Sequence, residues 1–299
     1  MRINTNVSSL TAQESAVNTN KSITNSLEKL SSGLRINKAA DDASGLAIAD
    51  KLRTQVTSIN QGVSNGNSAI ALLQIADKSM AEQSTILDTI KAKLIQANTD
   101  TTSSAGRTAI AKDVNKLLDQ LNNIAKQTNY NGTALLQKDT KSSAAGVAAS
   151  SGLTFQVGES TADLIKTKTI QANVTGLSLS TLKSNVSAGA KYTNVNGTAT
   201  GTAFTKEMAS AGQKAIDNAI TTLNGYRGDI GSTQNQVESA VRNLATQATN
   251  IKNAESVIRD VDYAQESANY NKLNIIAQAG SYAISQANST QQNVLRLLQ

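Results

Sequence analysis

Two pairs of aspartates are the residues of this sequence whose type and spacing would suit metal binding or acid/base catalysis. Asp41 and Asp42 are adjacent, as in a divalent-metal site, and Asp260 and Asp262 follow Arg259, as in an acid/base pair. The chain has no histidine and no cysteine, so neither pair has the partner that a catalytic triad or a zinc site requires. We therefore expect Asp41 and Asp42 to stabilise the start of the helix that follows them, and Asp260 and Asp262 to form structural pairs within or between subunits.

The sequence contains no motif for phosphate binding, nucleic-acid binding or membrane insertion. The sequence contains neither a G-x-x-x-x-G-K-[ST] loop nor a G-x-G-x-x-G loop for phosphate binding. The net charge of +6 comes from lysines and arginines that are scattered singly and not interleaved with aromatic residues, which disfavours nucleic acid as a partner. No apolar run approaches the roughly 18 residues of a membrane span, and the first ten residues lack the apolar core of a signal peptide. We predict a protein that is no enzyme, takes no metal or cofactor, does not insert into a membrane and carries no cleavable leader.

The elements that position these residues are helices. Only 39% of the 299 residues are apolar and 3% aromatic, which is little for one compact core, and the chain contains no proline at all. Apolar residues with the three- and four-residue steps of a heptad run through three segments: Leu52, Val56, Ile59, Val63, Ile70, Leu73, Met80, Leu87, Ile90 and Leu94; Ile110, Val114, Leu117, Leu121 and Ile124; and Ile216, Ile220, Leu223, Ile230, Val237, Val241, Leu244, Ile251 and Ile258. We expect three long helices in a bundle, with Gly62, Gly66, Gly225, Gly228 and Gly231 as weak points.

Both ends of the chain carry thinner apolar stripes. Their small residues bury too little apolar surface to offset the entropy of ordering a helix pair, so we expect the ends to be loose in a monomer and ordered on self-association. The residues assigned to self-assembly are Ile3, Val7, Leu10, Leu27, Leu30, Leu34 and Ile36 at one end and Val261, Ile275, Ile276, Val294, Leu295, Leu297 and Leu298 at the other.

The middle of the chain differs from the rest in composition and in its apolar pattern. Residues 138–205 are rich in Ser, Thr, Ala, Gly and Asn with short alternating runs, which favours a small β-hairpin region over a helix. Asn131-Gly132 is a turn signal that closes the helical part before it. The predicted fold class is mainly α, with a terminal helical pair, an elongated helical bundle and a small β-hairpin region. The polar middle is as consistent with O-linked sugars as with unmodified loops.

Four stretches resemble bacterial flagellin. They are residues 30–50, LSSGLRINKAADDASGLAIAD; residues 127–132, QTNYNG; residues 155–158, FQVG; and residues 259–264, RDVDYA, which continue through IAQAG at 276–280, QAN at 286–288 and VLRLL at 294–298. The resemblance covers roughly residues 1–158 and 204–299 and is of the type with a short central region.

The resemblance implies a secreted, extracellular subunit that polymerises helically into the flagellar filament, the propeller for swimming. It implies an inner-tube domain of residues 1–42 and 260–299, an outer helical domain of residues 43–137 and 206–259, and a short variable region of residues 138–205 at the filament surface. The implied partners are further copies of the chain, the flagellar cap and hook-filament junction proteins, the export apparatus and a secretion chaperone.

One departure from the family concerns the vertebrate Toll-like receptor for flagellin. Flagellins that this receptor senses offer an arginine, a leucine and a glutamate where this chain has Thr89, Lys93 and Gln120. The departure predicts weak or no binding to that receptor.

Three alternatives remain open at this point. A hook-filament junction protein is similar in length and shares the terminal helices, but forms a short layer instead of a long filament. A flagellin with an inserted protease domain needs a zinc-binding H-E-x-x-H helix, which a chain without histidine lacks. A host-directed adhesin or effector shares only the secreted coiled-coil texture.

Overall fold

The prediction of a mainly helical chain is confirmed. The computed structural model describes residues 5–137, 152–195, 198–200 and 202–297. Its helices are α1 (Val7–Ser32), α2 (Ala43–Ala97), α3 (Ser104–Gln127), α4 (Ser180–Ala190), α5 (Lys206–Arg259) and α6 (Tyr263–Leu297). The longest, α2 and α5, contain 55 and 54 residues, as expected where no proline interrupts a heptad pattern.

The strands are short and form antiparallel pairs. They are β1 (Asn129–Tyr130), β2 (Thr133–Ala134), β3 (Thr154–Gln156), β4 (Leu164–Lys166), β5 (Thr193–Val195) and β6 (Thr198–Thr200), and each odd-numbered strand pairs with the next. The predicted turn at Asn131-Gly132 joins β1 to β2, with φ angles of 48° and 81° that suit these two residue types. In the β3–β4 pair Phe155 lies opposite Ile165.

The described residues fall into two compact units. The first unit lies within residues 1–57 and 247–299, and the second within residues 58–246. In the second unit, most of the largest fully buried side chains come from three helices: Leu73, Met80, Leu87, Ile90 and Leu94 of α2, Leu118 and Leu121 of α3, and Ile216 and Leu223 of α5. Most of them belong to the heptad series of the sequence, and each contributes about 1.5–3 kcal/mol by its burial.

The middle segment packs into the core of the second unit. Ala172, Val174 and Leu177 are buried in the same cluster as α2, α3 and α5, and the Ala172 N–H donates to the Leu136 carbonyl at 2.8 Å. The expectation of hairpins without a helix was wrong for residues 180–190, which form α4. Leu182 and Val186 recur on one face of α4 and are buried, so tertiary packing makes this Ser-rich stretch helical. Residues 138–151 of the predicted hairpin region lie outside the described residues.

A buried glutamine ties the middle segment to the helices. Gln83 of α2 is inaccessible to solvent, and its Nε2 donates to the carbonyl of Leu121 at 3.1 Å and to that of Ala172 at 2.8 Å. A buried amide donor without a partner is costly, so the Nε2 group favours the arrangement in which α3 and the middle segment both meet α2, although the buried Oε1 of the same side chain has no hydrogen-bond partner among the described residues.

Ion pairs connect the helices of the second unit. They join Lys93 to Asp113, Lys91 to Asp217, Lys183 to Asp119, Lys206 to Asp100, Lys168 to Asp229 and Arg227 to Asp77. The pairs are solvent-exposed or half-exposed, so each contributes at most about 1 kcal/mol to stability.

Candidate self-assembly surface on the terminal helices

Helices α1 and α6 pack side by side in the first unit. Near one end of the pair, Asn6 Nδ2 donates to the Ala287 carbonyl at 3.1 Å, and near the other, Ser26 Oγ donates to Glu266 Oε1 at 2.5 Å. Position increases along α1 as it decreases along α6 in these two contacts, so the pair is antiparallel.

The contact between the two helices consists largely of small and polar residues. On α1, residues at heptad spacing are buried or half-buried, and the same is true of α6; we call these two rows the inner seam. The inner seam contains Ala12, Ala16, Thr19, Ile23, Ser26 and Leu30 of α1 and Glu266, Tyr270, Leu273, Ala277, Gly280, Ile284 and Ala287 of α6. Of these, Ser26 is the one buried residue, at 2% exposure. Such a seam buries little apolar surface, so the pair is held weakly.

Other large apolar side chains of the pair are exposed to solvent. We call this second set the outer stripe; it contains Val7, Leu10, Val17 and Leu27 of α1 and Ile275, Ile276 and Tyr282 of α6, which are 42–74% exposed. On a helix of 3.6 residues per turn, Val7, Leu10 and Val17 of α1 and Ile275 and Tyr282 of α6 lie roughly opposite the inner seam of their own helix, whereas Leu27 and Ile276 flank it. The outer stripe therefore covers mainly two opposite sides of the pair, and exposed apolar side chains of this kind mark candidate interaction sites.

The structure distributes the predicted assembly residues over several environments. Val7, Leu10, Leu27, Ile275 and Ile276 are exposed on the outer stripe. Half-buried positions are occupied by Leu30, Leu34 and Val261. Ile36 is only 3% exposed and lies against Gly45, so its side chain is used inside the subunit. Ile3 and Leu298, and the side chains of Val294, Leu295 and Leu297, lie outside what the structure describes.

Sequence reasoning identified the inner seam only in part. It named Leu30 among the assembly residues, but it did not single out the small and polar residues of the contact, such as Ala12, Ala16, Thr19 and Ser26. The signal that identifies them is the spacing of small residues at steps of three and four, as at Ala12, Ala16 and Thr19.

Two connectors join the terminal helices to the long helices, and they bind each other through the backbone. The first connector is residues 33–42, between α1 and α2, and the second is residues 260–262, between α5 and α6. The Arg35 N–H donates to the Arg259 carbonyl at 2.6 Å, and the Val261 N–H donates to the Gly33 carbonyl at 3.0 Å. The Arg35 guanidinium also donates to the Ile258 carbonyl at 2.7 Å.

The aspartates of the connectors cap helices and turns. Asp41 Oδ2 accepts the N–H groups of Asn37 and Lys38, both at 3.0 Å, and Asp42 Oδ1 accepts the N–H of Gly45 in the first turn of α2 at 2.9 Å. At the other connector, Asp262 Oδ1 accepts the N–H groups of Ala264 and Gln265 in the first turn of α6. Asp260 Oδ2 accepts a hydrogen bond from Ser256 Oγ at 2.6 Å. The expected role at a helix start is confirmed for Asp42 but not for Asp41, which binds N–H groups of the first connector, and Asp262 also caps a helix.

Asp41 should make the first connector sensitive to acid. The backbone N–H of Lys38 and then that of Asn37 lower the pKa of the Asp41 carboxyl below its ordinary value of 3.8. Since the folded-state pKa is depressed, the carboxylate stabilises the connector above the unfolded pKa, and this stabilisation is lost as pH falls through the lower, folded value. A carboxyl-detected NMR titration should place the Asp41 midpoint below 3.8, whereas a midpoint at or above that value would contradict the hydrogen-bonded geometry.

Neither a metal site nor a membrane span is found in the part of the chain that the structure describes. Within residues 5–137, 152–195, 198–200 and 202–297, no three acidic side chains converge as metal ligands, and no helix has the length and apolarity to cross a bilayer.

The three predicted receptor positions lie on α2 and α3 of the second unit. Thr89 and Gln120 are exposed. Lys93 is half-buried, and its Nζ lies 3.0 Å from Asp113 Oδ2 of α3.

Comparison with known proteins assigns the family. Residues 3–142 match the family model for the bacterial flagellin N-terminal helical region, and residues 213–298 match the one for the bacterial flagellin C-terminal helical region. Flagellin of Bacillus subtilis (strain 168) is 34% identical over 303 residues, and the match covers 100% of both chains. The flagellar filament 33 kDa core protein of Treponema phagedenis is 33% identical over 298 residues, again with 100% of both chains covered.

One solved structure supports the fold. A putative flagellar hook-associated protein from Vibrio parahaemolyticus matches 73% of this chain and 99% of its own with a TM-score of 0.57, at 12% identity. At that identity the likeness concerns the fold alone. The two family models and the full-length relatives together show that the chain belongs to the bacterial flagellin family, whose members are structural subunits of the extracellular flagellar filament.

Proposed function

We propose that this flagellin polymerises through the outer stripe of α1 and α6, and that the polymer is the propeller filament for swimming. The observation that carries the proposal is the exposure of large apolar side chains on a weakly held helix pair, with Tyr282 at 74% and Ile275 at 67%. Burying one such side chain against a neighbouring copy contributes about 1.5–3 kcal/mol, so a few of them suffice to order the pair on assembly.

The contacts between copies are heterologous. A contact between two different surfaces of the same chain repeats without closing when the rotation it imposes does not form a ring, and an open helical filament results. In this filament, residues 1–42 and 260–299 form the inner tube, residues 43–137 and 206–259 the outer helical domain, and residues 138–205 the variable region at the surface. Asp42 and Asp262, which could have been catalytic carboxylates, serve as helix caps. The proposed role is therefore purely structural, with no catalytic activity.

Removing the terminal helices should abolish polymerisation. The experiment compares the full chain with a version that lacks Met1–Asn37 and Val261–Gln299, after seeding or salting-out, by negative-stain electron microscopy. We expect long filaments from the full chain and none from the shortened one, which keeps the core of the second unit and should retain its helical circular dichroism. Filaments from the shortened chain would place assembly elsewhere.

A hook-filament junction protein is the second candidate, because the hook-associated structure has the same fold. Persistent monomers or short caps of the full chain in the same experiment would favour it. Identity of 33–34% to filament proteins along the whole chain favours the filament subunit.

The terminal helices are also the proposed binding surface for the other flagellar partners. The flagellar cap and the hook-filament junction proteins meet the terminal helices at the two ends of the polymer. The export apparatus and a secretion chaperone act on the chain before assembly, when an exposed outer stripe would otherwise associate prematurely. We propose no role for nucleic acid, since the lysines and arginines are scattered singly along the sequence and some lysines pair with aspartates, as Lys93 does with Asp113.

The chain should be a poor ligand for the vertebrate flagellin receptor. Thr89 and Gln120 present neither the arginine nor the glutamate of sensed flagellins, and Lys93 places a charged group where they have leucine. In a dose-response reporter assay we expect weak signalling, and a gain in the triple variant Thr89→Arg, Lys93→Leu, Gln120→Glu. Full potency of the unaltered chain would contradict the prediction.

A further inference from the structure

Four asparagines of the chain are followed by glycine, and the structure places three of these pairs in different environments. Asn65-Gly66 lies in α2, Asn131-Gly132 forms the turn between β1 and β2, and Asn224-Gly225 lies in α5. The fourth pair, Asn196-Gly197, lies outside the described residues. An asparagine before glycine loses its side-chain amide readily in a flexible peptide, because glycine has no side chain to hinder attack by its own backbone nitrogen. The local backbone therefore decides which pair reacts in the folded protein.

A helix protects the pairs in α2 and α5. In the interior of an α-helix, the N–H of a glycine donates to the carbonyl four residues earlier, which holds the nitrogen away from the preceding asparagine side chain. In α2, Gly66 is also buried, and Asn65 Nδ2 donates to the Gln156 carbonyl at 3.2 Å. Asn224 and Gly225 are exposed, so the helix itself is what protects the pair in α5. Attack at either place requires the helix to open first.

The pair in the turn lacks these protections. Asn131 and Gly132 are both exposed, and no described atom lies within 4 Å of the position of a Cβ on Gly132. Among the described residues, neither the Gly132 N–H nor the Asn131 side chain has a hydrogen-bond partner. Strands β1 and β2 contain only 2 residues each, so the turn opens at little energetic cost. The Gly132 nitrogen is therefore free to reach the Asn131 side chain.

We propose that Asn131 is a modification site at which the folded chain deamidates spontaneously, with water as the only co-reactant. The Gly132 nitrogen gives its proton to water and attacks Cγ of Asn131, the bond from Cγ to the amide nitrogen breaks, and ammonia leaves. The product is a cyclic imide. Water then adds to one of its two carbonyl carbons and opens the ring, which yields aspartate or, when the main chain leaves through Cγ, isoaspartate. The net reaction exchanges an amide for a carboxylate and consumes one water for each ammonia released.

The modification alters the turn and leaves the core in place. Aspartate adds a negative charge and tolerates the φ of 48° at this position. Isoaspartate adds one methylene to the main chain, so Tyr130 can no longer lie opposite Thr133 across a two-residue turn. The bond from the Leu135 N–H to the Thr128 carbonyl, at 3.1 Å, lies beyond the turn, and Leu136 is fully buried. The altered chain therefore remains folded, and the inference holds whether or not the chain polymerises as proposed.

Timed incubation of the native full-length chain in mildly alkaline buffer tests the site. Aliquots are digested with trypsin, and mass spectrometry with fragmentation follows peptides 127–138 and 215–227, which contain Asn131 and Asn224. Asn224 is the matched internal control, because it too is exposed and precedes a glycine with open space at its Cβ position. A digest at zero time corrects for deamidation during digestion, and the variant Asn131→Asp supplies the aspartate product as a standard.

We expect Asn131 to deamidate at least about tenfold faster than Asn224, because attack in α5 first breaks several helix hydrogen bonds of about 1 kcal/mol each. In urea that unfolds the chain, the two sites should react at similar rates, since the backbone then no longer distinguishes them. Equal rates in the native chain, or no product at Asn131, would overturn the proposal. Isoaspartate is recognised as a product that has the mass of the standard but elutes apart from it. Asn131→Asp should keep the helical circular dichroism of the unaltered chain, and loss of that signal would overturn the claim that the core stays in place.

Discussion

Replacing Ile275 with aspartate should prevent filament formation by the full-length chain. Ile275 is 67% exposed in the subunit, so the isolated chain accepts a charged residue there. In a polymer that buries the outer stripe, the substitution removes about 2 kcal/mol of apolar burial and forces a carboxylate out of water. A combined loss above about 3 kcal/mol raises the critical concentration by more than about a hundredfold, which light scattering and electron microscopy would register as the absence of polymer.

Two controls make that result specific to the outer stripe. Ile275→Leu keeps the apolar area and should polymerise at nearly the wild-type concentration. Ile95→Asp introduces the same charge at an isoleucine of α2 that is 50% exposed in the second unit and is not part of the outer stripe, and it should polymerise better than Ile275→Asp. Filaments of Ile275→Asp at the wild-type concentration would mean that this face of α6 does not enter the inter-subunit contact.

The long helices were predictable because large residues mark their buried faces. Leu73, Met80, Leu87 and Leu94 recur at heptad steps, and all four are at most 1% exposed. Helix α4 was not predictable, because serines, an asparagine and a glycine dominate its sequence and its helical conformation depends on the packing of Leu182 and Val186 in the core. Periodicity identifies an element reliably only where the element supplies its own apolar face.

The orientation of the terminal stripes could not be derived from the sequence. A heptad of large residues shows that a helix has an apolar face, but not whether that face meets another part of the same chain or a different copy. In α1, Ser26 at the contact is far more buried than Leu27 beside it, which is 52% exposed. The physical reason is that small residues allow a close approach of two helices, so a large neighbour such as Leu27 can remain outside the contact.

The environment of the glycines in the long helices also could not be derived from the sequence. Sequence reasoning treats each as a weak point of its helix, because glycine costs about 1 kcal/mol relative to alanine in a helix interior. In α2, a Cβ on Gly62 would overlap the Val157 carbonyl oxygen, and one on Gly66 would overlap the Val241 side chain. In α5, nothing lies within 4 Å of the position of a Cβ on Gly225, Gly228 or Gly231. Glycines in similar helices therefore lie in opposite environments, tightly packed in α2 and open in α5.

The substitution Gly62→Ala should destabilise the second unit, although alanine is the better helix former. Val157 belongs to a small buried cluster with Ala69, Ile165 and Val237, and its carbonyl is backbone, which cannot rotate away. Relieving the overlap requires the β3–β4 hairpin to move off α2, and overpacking of this kind costs about 1–3 kcal/mol. Urea denaturation followed by far-UV circular dichroism should show a lower free energy of unfolding.

The matched variant Gly228→Ala should change the free energy of unfolding in the opposite direction and stabilise the protein. Its Cβ meets open space, so the gain in helix propensity of about 1 kcal/mol is retained, and the midpoint of thermal unfolding should rise by about 2–4 °C. Because the two variants add the same methyl group to the same kind of helix, helix propensity cancels between them. What remains is the close approach of the hairpin to α2, and equal stabilisation by both substitutions would mean that this approach is absent in solution.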